Sequence, residues 1–351
     1  MRNTRNMRTS GHRKNASMRL ARRVSSFVLI MATLALASCS TINPPVVVPH
    51  EGQGAFGALS NAAKLNGPDG WAWRISVPHN RLLLYYWITG DFGVGPGSAY
   101  MGATNETDLM TKIQTTSALY QQLDPAHPVV SAFDLTDPTI EPKDSYPPYD
   151  NHWADLSVIQ HFITLSQQQH MLFFFDVNFS REPVEMILDR LWPYLQEPNV
   201  ELALDNEYGY QWDNGCISAP GCDSEGRLYA KDINPVIDKL AALVATGKVP
   251  PKILVLYQWY GTALYDSQNI RLRPGVSVIT CMDSVGDTSA KIAEYNVFDN
   301  LQQVQYPAYK SFPQNDTPPL TASQILALQP PPVMVAYQCG EDASVVPCPT
   351  D

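Results

Sequence analysis

Short apolar runs ending in a polar residue alternate along this chain with longer amphipathic ones, and that alternation limits the folds open to it more than any other feature. The runs "RLLLYYW" (81–87), "PVVSAFDL" (128–135), "MLFFFDV" (171–177), "VELALDN" (200–206), "KILVLYQW" (252–259), "VSVITCMD" (276–283) and "VMVAYQ" (333–338) read as buried strands. Between them "ETDLMTKIQTTSALYQQL", "ADLSVIQHFITLSQQQ", "REPVEMILDRLWPYL" and "INPVIDKLAALVATG" carry the period of helices buried along one face. Strand and helix in alternation build parallel sheets from βαβ units.

Seven strands are one short of a closed ring. The candidate for the missing seventh is "AEYNVF" (293–298), in a stretch that is rich in proline up to Pro319. From residue 70 onward about 280 residues remain, an ordinary size for one α/β barrel, and no internal repeat divides them. The expected fold is a single (β/α)8 TIM-type barrel over 70–351, irregular at strand 7, with a doubly wound open sheet as the rival arrangement.

The N-terminus reads as targeting rather than fold. Residues 1–23 hold eight Lys or Arg and no acid, and lead into "SSFVLIMATLALAS", too short to span a bilayer. Residues 1–38 are expected to be a signal peptide ending in Leu36, Ala37 and Ser38 before Cys39, which resembles the lipobox of bacterial lipoproteins and implies lipidation at Cys39. A start at Met18 would leave a complete signal as well. The Pro- and Gly-rich stretch over 39–69 then reads as an extended tether.

Removing those eight basic residues from the 24 in the chain leaves 16 against 34 acids, a charge near −18. A field of that sign repels nucleic acid, and no basic stripe offsets it. No second long apolar segment follows the signal, so the expectation is an exported protein, lipid-anchored to a membrane or outer surface rather than spanning it. Cys216 with Cys222, and Cys339 with Cys348, suit two short-loop disulfides of an exported protein. Cys281, inside "VSVITCMD", reads as a small buried hydrophobe.

The strand ends carry the chemistry. Asp134, Asp176, the pair Asp205 and Glu207, Gln258 and Asp283 each stand where an apolar run stops. In parallel α/β folds those ends converge on one face. Side chains alternate along a strand, so Ala203, Asp205 and Glu207 share one side while Leu202 and Leu204 share the other. In a barrel the leucines would pack on helices and the acids would line the mouth. A strand-end carboxylate can instead cap the next helix, as the surroundings of Asp134 and Asp176 allow. Two adjacent inward carboxylates raise one pKa between them, which keeps a carboxyl protonated as a general acid near neutrality.

The "LALDNEY" strand resembles the Asp-x-Glu strand of the family 18 chitinases and the family 25 lysozymes. The resemblance implies Glu207 as general acid and Asp205 as its orienting or charge-stabilising partner. Further chitinase aspartates would fall where this chain has Ala203 and Val200. Over most of its length the chain also is similar to a group of bacterial secreted, barrel-like lipoproteins, through "LALDNEY", "FFFDVN", "VLYQW", "CMDSVG" and "LALQPPPVMVAYQ". It departs from that group at Asn206 and Asn178, where proline and glutamine are usual. That resemblance supports the fold and a shared site and implies no particular activity.

Aromatic residues near the strand ends suit pyranose stacking, chiefly Tyr208 and Trp259, with Trp71, Trp73, Tyr85, Tyr86, Trp87, Tyr210, Trp212 and Tyr260 as further candidates. Asp134, Asp176, Tyr208, Gln258, Trp259 and Asp283 are the expected substrate contacts. No G-x-S-x-G elbow, P-loop lysine or dinucleotide fingerprint occurs, and the seven His residues form no ligand pair. The aspartates with Glu207 are oxygen donors that could hold a hard cation, but their spacing requires none, and no metal or cofactor is expected. The expected function is a glycoside-hydrolase-like barrel acting on a cell-wall or environmental polysaccharide. The alternative is a non-catalytic barrel that recognises a glycan or another envelope component.

Overall fold

The computed structural model describes residues 70–88, 106–136, 139–140, 151–178, 183–205, 227–261, 263–301 and 304–339, all within one compact unit, Gly54–Asp351. The expected signal peptide, Cys39 and the tether, and likewise Glu207, Tyr208, Tyr210, Trp212, Cys216, Cys222 and Cys348, lie outside the described residues. Cys339 is disulfide-bonded, and its partner lies outside them too.

Eight parallel strands close into a barrel: β1 (Arg81–Ile88), β2 (Val129–Thr136), β3 (Leu172–Asn178), β4 (Val200–Asp205), β5 (Lys252–Gln258), β6 (Val276–Met282), β7 (Tyr306–Ser311) and β8 (Met334–Tyr337). Each strand pairs with its neighbours in chain order, and β8 returns to β1. The helices are α1 (Glu106–Leu123), α2 (Leu156–Gln168), α3 (Val184–Leu195), α4 (Ala230–Ala245), α5 (Thr288–Leu301) and α6 (Ala322–Leu326). Between β5 and β6 the described connection is a 3-10 turn, Ser267–Asn269. A two-stranded antiparallel pair, Thr139–Ile140 with Asn151–His152, follows β2. No helix among the described residues is long and apolar enough to cross a membrane.

The seven expected strands form where the apolar runs lie, and the eighth does not. "AEYNVF" belongs to α5, where Tyr295 and Phe298 face the core between helices and barrel. The seventh strand is "YPAYKS", hydrogen-bonded to β6 on one side and β8 on the other, with no break in the ring. Its Pro307 imitates a strand breaker, yet its carbonyl accepts the Val333 N–H at 2.9 Å.

Alternation along the strands builds two nested cores. Leu84, Ala132, Phe174, Ala203, Val255 and Ala336 fill the barrel interior. Their neighbours Leu83, Phe133, Phe175, Leu202, Leu204 and Leu254 pack outward with the helices. The leucines of β4 thus face helices as alternation requires. Cys281 is buried in the interior set as a free thiol.

The segment before β1 covers the N-terminal end of the barrel. Val77, Trp71 and Ile75 pack on the interior set, and Trp71 stacks on His170 at 5.5 Å, just ahead of β3. Trp71 therefore sits at the end opposite the strand C-termini, away from the face where a stacking role was expected of it. At the same end the buried Lys252 ammonium donates to the carbonyls of Glu197 and Val200 at 2.9 and 2.7 Å. Glu201 accepts the Ile253 N–H at 2.6 Å, which fixes β4 against β5.

Gly275 makes the turn into β6, and its conformation is specific. Its φ is +81°, and an added Cβ would stand 2.7 Å from Val244 Cγ1 on α4. Gly275→Ala is expected to cost about 2–3 kcal/mol from left-handed strain plus overpacking. A urea midpoint that does not move would show that α4 yields at Val244.

Candidate functional site at the barrel mouth

Inward positions near the C-terminal ends of the strands carry Tyr86 on β1, Asp134 on β2, Asp176 on β3, Asp205 on β4, Tyr257 on β5, Asp283 just after β6 and Lys310 on β7. Each lies two residues beyond an interior apolar side chain, such as Ala203 before Asp205 and Ala308 before Lys310, so strand alternation aims them all at the axis. Tyr86 stands beside Asp134 in the register of β1 and β2, and Asn178 beside Asp205 in that of β3 and β4. None of the four aspartates is more than 4% exposed.

Lys310 is the cation in the middle of this set. Its ammonium donates to Asp283 Oδ2 at 2.8 Å and lies 4.0 Å from the ring centre of Tyr86 and 4.5 Å from that of Tyr257. Opposite it, the Tyr257 hydroxyl donates to Asp134 Oδ2 at 2.5 Å. A second buried lysine supports this arrangement from α5. Lys291 donates to the Lys310 carbonyl at 3.1 Å and to Asp316 Oδ2 at 2.5 Å. Asp316 in turn accepts the Phe312 and Gly286 N–H groups at 2.9 and 3.2 Å, tying the loops after β6 and β7 together.

Protonation follows from burial. Burial lifts Asp283 to about 7 against the pull of Lys310, with Asp205 adding to the rise. Burial also lifts Asp134 to about 6, opposed by the Tyr257 hydrogen bond and Lys310. Asp176 is held well above the ordinary carboxylate range by burial and then by Asp134, Asp205 and Asp283. Burial works against the charge on Lys310, and Asp283, Asp205 and Asp176 outweigh it, holding the ammonium above its usual pKa. Crowded carboxyls around one ammonium are therefore kept partly protonated near neutral pH.

Neither Asp134 nor Asp176 caps a helix. Asp134 Oδ1 and both oxygens of Asp176 are buried without a hydrogen-bond partner, and Asp283 Oδ1 likewise. Such groups destabilise a fold and are characteristic of sites that act on something else. Among the described residues no group of three or more His, Cys, Asp or Glu is arranged to hold a metal ion.

The structure thus brings together Asp134, Asp176, Asp205 and Asp283 as the strand ends suggested. Gln258 is fully buried, but alternation puts it on the helix-facing side of β5, and Tyr257 takes the inward position instead. Trp259 follows it and packs on Tyr260 at 4.2 Å. Tyr86 does reach the mouth, whereas Tyr85 turns outward, its hydroxyl donating to the Ile113 carbonyl at 3.4 Å. Lys310, Tyr257 and the supporting Lys291 and Asp316 are the members that the strand-end reading missed. The alternation in "YPAYKS" could have found Lys310, because Ala308 and Lys310 share a face.

A closed parallel barrel with helices between its strands is a (β/α)8 TIM-type barrel, and its ionisable side chains converge at the C-terminal mouth. No family model matches the chain, and no curated protein matches its sequence. Among solved structures it is similar to a family 18 chitinase from Crocus vernus, at 12% identity over 75% of this chain and 94% of that one, with a TM-score of 0.43. It is also similar to a ruminal GH26 endo-β-1,4-mannanase, at 10% identity over 82% of this chain and 64% of that one, with a TM-score of 0.38. Both are glycoside hydrolases, and at these values neither adds to what the strand order establishes by itself.

Proposed function

We propose that this chain is an exported, lipid-anchored barrel of the glycoside-hydrolase kind that acts on a cell-wall or environmental polysaccharide. The observation that carries the reading is the inward, buried Asp205 at the end of β4, in electrostatic contact with Asp134, Asp176, Asp283 and Lys310. Glu207 is two residues further along, where alternation would send it to the same side. Surroundings that lift Asp134 and Asp283 to about 6 and 7 would also hold a neighbouring carboxyl protonated. In this reading Glu207 gives its proton to the glycosidic oxygen as the bond to the anomeric carbon breaks. Asp205 stabilises the charge that develops there, and water completes the hydrolysis.

The full burial of the four aspartates favours one other reading, a barrel that recognises a glycan without cleaving it. Release of soluble sugar from peptidoglycan, chitin and plant polysaccharides by the purified protein, beside Glu207→Gln, separates the two. Release by the wild type and not by the variant supports hydrolysis through Glu207. Equal release by both places the acid elsewhere. Pelleting with a polysaccharide without release supports recognition. The anchor is tested apart from this, since Cys39→Ser should move the protein from the membrane to the soluble fraction.

A further inference from the structure

Beside the mouth, two loops are joined by a short parallel bridge between Leu228 and Leu264. The Leu228 N–H donates to the Ala263 carbonyl at 2.6 Å, and the Tyr265 N–H donates to the Leu228 carbonyl at 3.1 Å. One loop returns from the C-terminal end of β4 into α4, and the other leaves the C-terminal end of β5. Both therefore belong to the rim of the face on which the buried aspartates converge.

The bridge gathers aromatic rings around one arginine. Tyr229 and Tyr265 meet at 5.5 Å between ring centres, and the Arg227 guanidinium lies 4.8 Å over the Tyr265 ring. The Tyr229 and Tyr260 side chains also act on Arg227 and hold its guanidinium above its ordinary pKa. Lys231 covers the Tyr229 ring at 5.2 Å. With Arg227 over its ring, Tyr265 remains 56% exposed. A large ring held in place on the surface has already lost the freedom that binding would otherwise remove. An open ring face next to a planar fork of N–H donors is the chemistry that receives a pyranose, with its C–H face on the ring and its hydroxyls on the donors.

We propose that Arg227, Tyr229, Tyr260 and Tyr265 form a sugar-binding subsite on the β4–β5 rim, which holds a polysaccharide chain as it continues out of the mouth. This rests on the glycan reading above and adds a consequence to it. A chain long enough to reach both the mouth and the rim is held more tightly than a short oligosaccharide, because the second contact is intramolecular.

The test uses the purified protein with insoluble chitin, peptidoglycan and β-mannan, and with a soluble trisaccharide of whichever polymer retains it. Tyr265→Ala should weaken retention on the polymer roughly three- to tenfold while leaving trisaccharide affinity unchanged. Tyr265→Phe, which keeps the ring, should bind like the wild type. The exposed position of Tyr265 predicts an unchanged urea midpoint for both variants. Equal retention of wild type and Tyr265→Ala on a polymer that binds the wild type overturns the subsite and leaves the mouth reading intact. Wild type retained by none of the three polymers, with no sugar released, overturns both.

Discussion

Lys310→Met should destabilise the barrel by about 3–5 kcal/mol, the cost of removing one partner from a buried ion pair. Methionine can fill the space between the Tyr86 and Tyr257 rings, so the loss is mainly electrostatic. Asp283, at 2.8 Å from the ammonium, loses its hydrogen-bonded cation and is left with Asp205 and Asp176 against it and only the more remote Lys291 opposing them. It will take up a proton rather than remain ionised, which limits the cost. Urea unfolding should show a lower midpoint with an unchanged slope. Lys310→Met combined with Asp283→Leu should recover most of the loss, because a pair replaced as a whole leaves no buried charge. A single-variant cost below about 1 kcal/mol would mean that Asp283 is already neutral in the native protein.

The barrel was legible in the sequence wherever burial on both faces of a strand produced a continuous apolar run. "MLFFFDV" and "VELALDN" could hardly be anything but interior strands, and β3 and β4 are buried along their whole length. β7 escaped notice because it breaks that rule for the sake of the site. Pro307 removes a donor near its start, and Lys310 puts a charge where an apolar residue would be expected. The same lysine that hides the strand supplies the mouth with its cation. "AEYNVF" misled for the opposite reason: α5 buries Tyr295 and Phe298 on one face, and a short window over that face resembles a strand.

For the site, strand position was a good guide and parity a better one. Asp134, Asp176, Asp205 and Asp283 lie within two residues of the C-terminal ends of their strands and share inward parity with the interior residue two places before them. Gln258 ends its strand with the wrong parity, and Tyr257 beside it carries the hydrogen bond to Asp134. Lys291 and Asp316 were beyond the reach of either rule, because a helix and a loop deliver them and only the closed fold brings them behind Lys310. Pattern along one strand identifies what points inward; contact between elements identifies what holds it there.

Asp176→Asn should stabilise the protein at neutral pH, although it replaces a fully buried residue at the centre of the mouth. Neither oxygen of Asp176 has a hydrogen-bond partner, so no bond is broken by the change. The new amide lies among the carboxylates of Asp134, Asp205 and Asp283, which can accept from it. The gain must depend on pH in one direction. Asp176 has a folded pKa well above the ordinary aspartate value of 3.8, so between the two the folded state binds a proton that the unfolded state has released. Below the unfolded pKa both states are protonated and the wild type bears no penalty. As pH rises above it, the wild type loses up to about 1.4 kcal/mol per pH unit until the folded carboxyl ionises as well. Asparagine has no such dependence, so its advantage should be absent near pH 4 and grow towards pH 7. Thermal or urea unfolding of the two proteins at these pH values measures it. A variant less stable than the wild type at every pH would make Asp176 a structural residue with partners that the fold requires. A variant that is more stable and binds or processes glycan poorly would identify a carboxyl retained for its chemistry at the expense of stability.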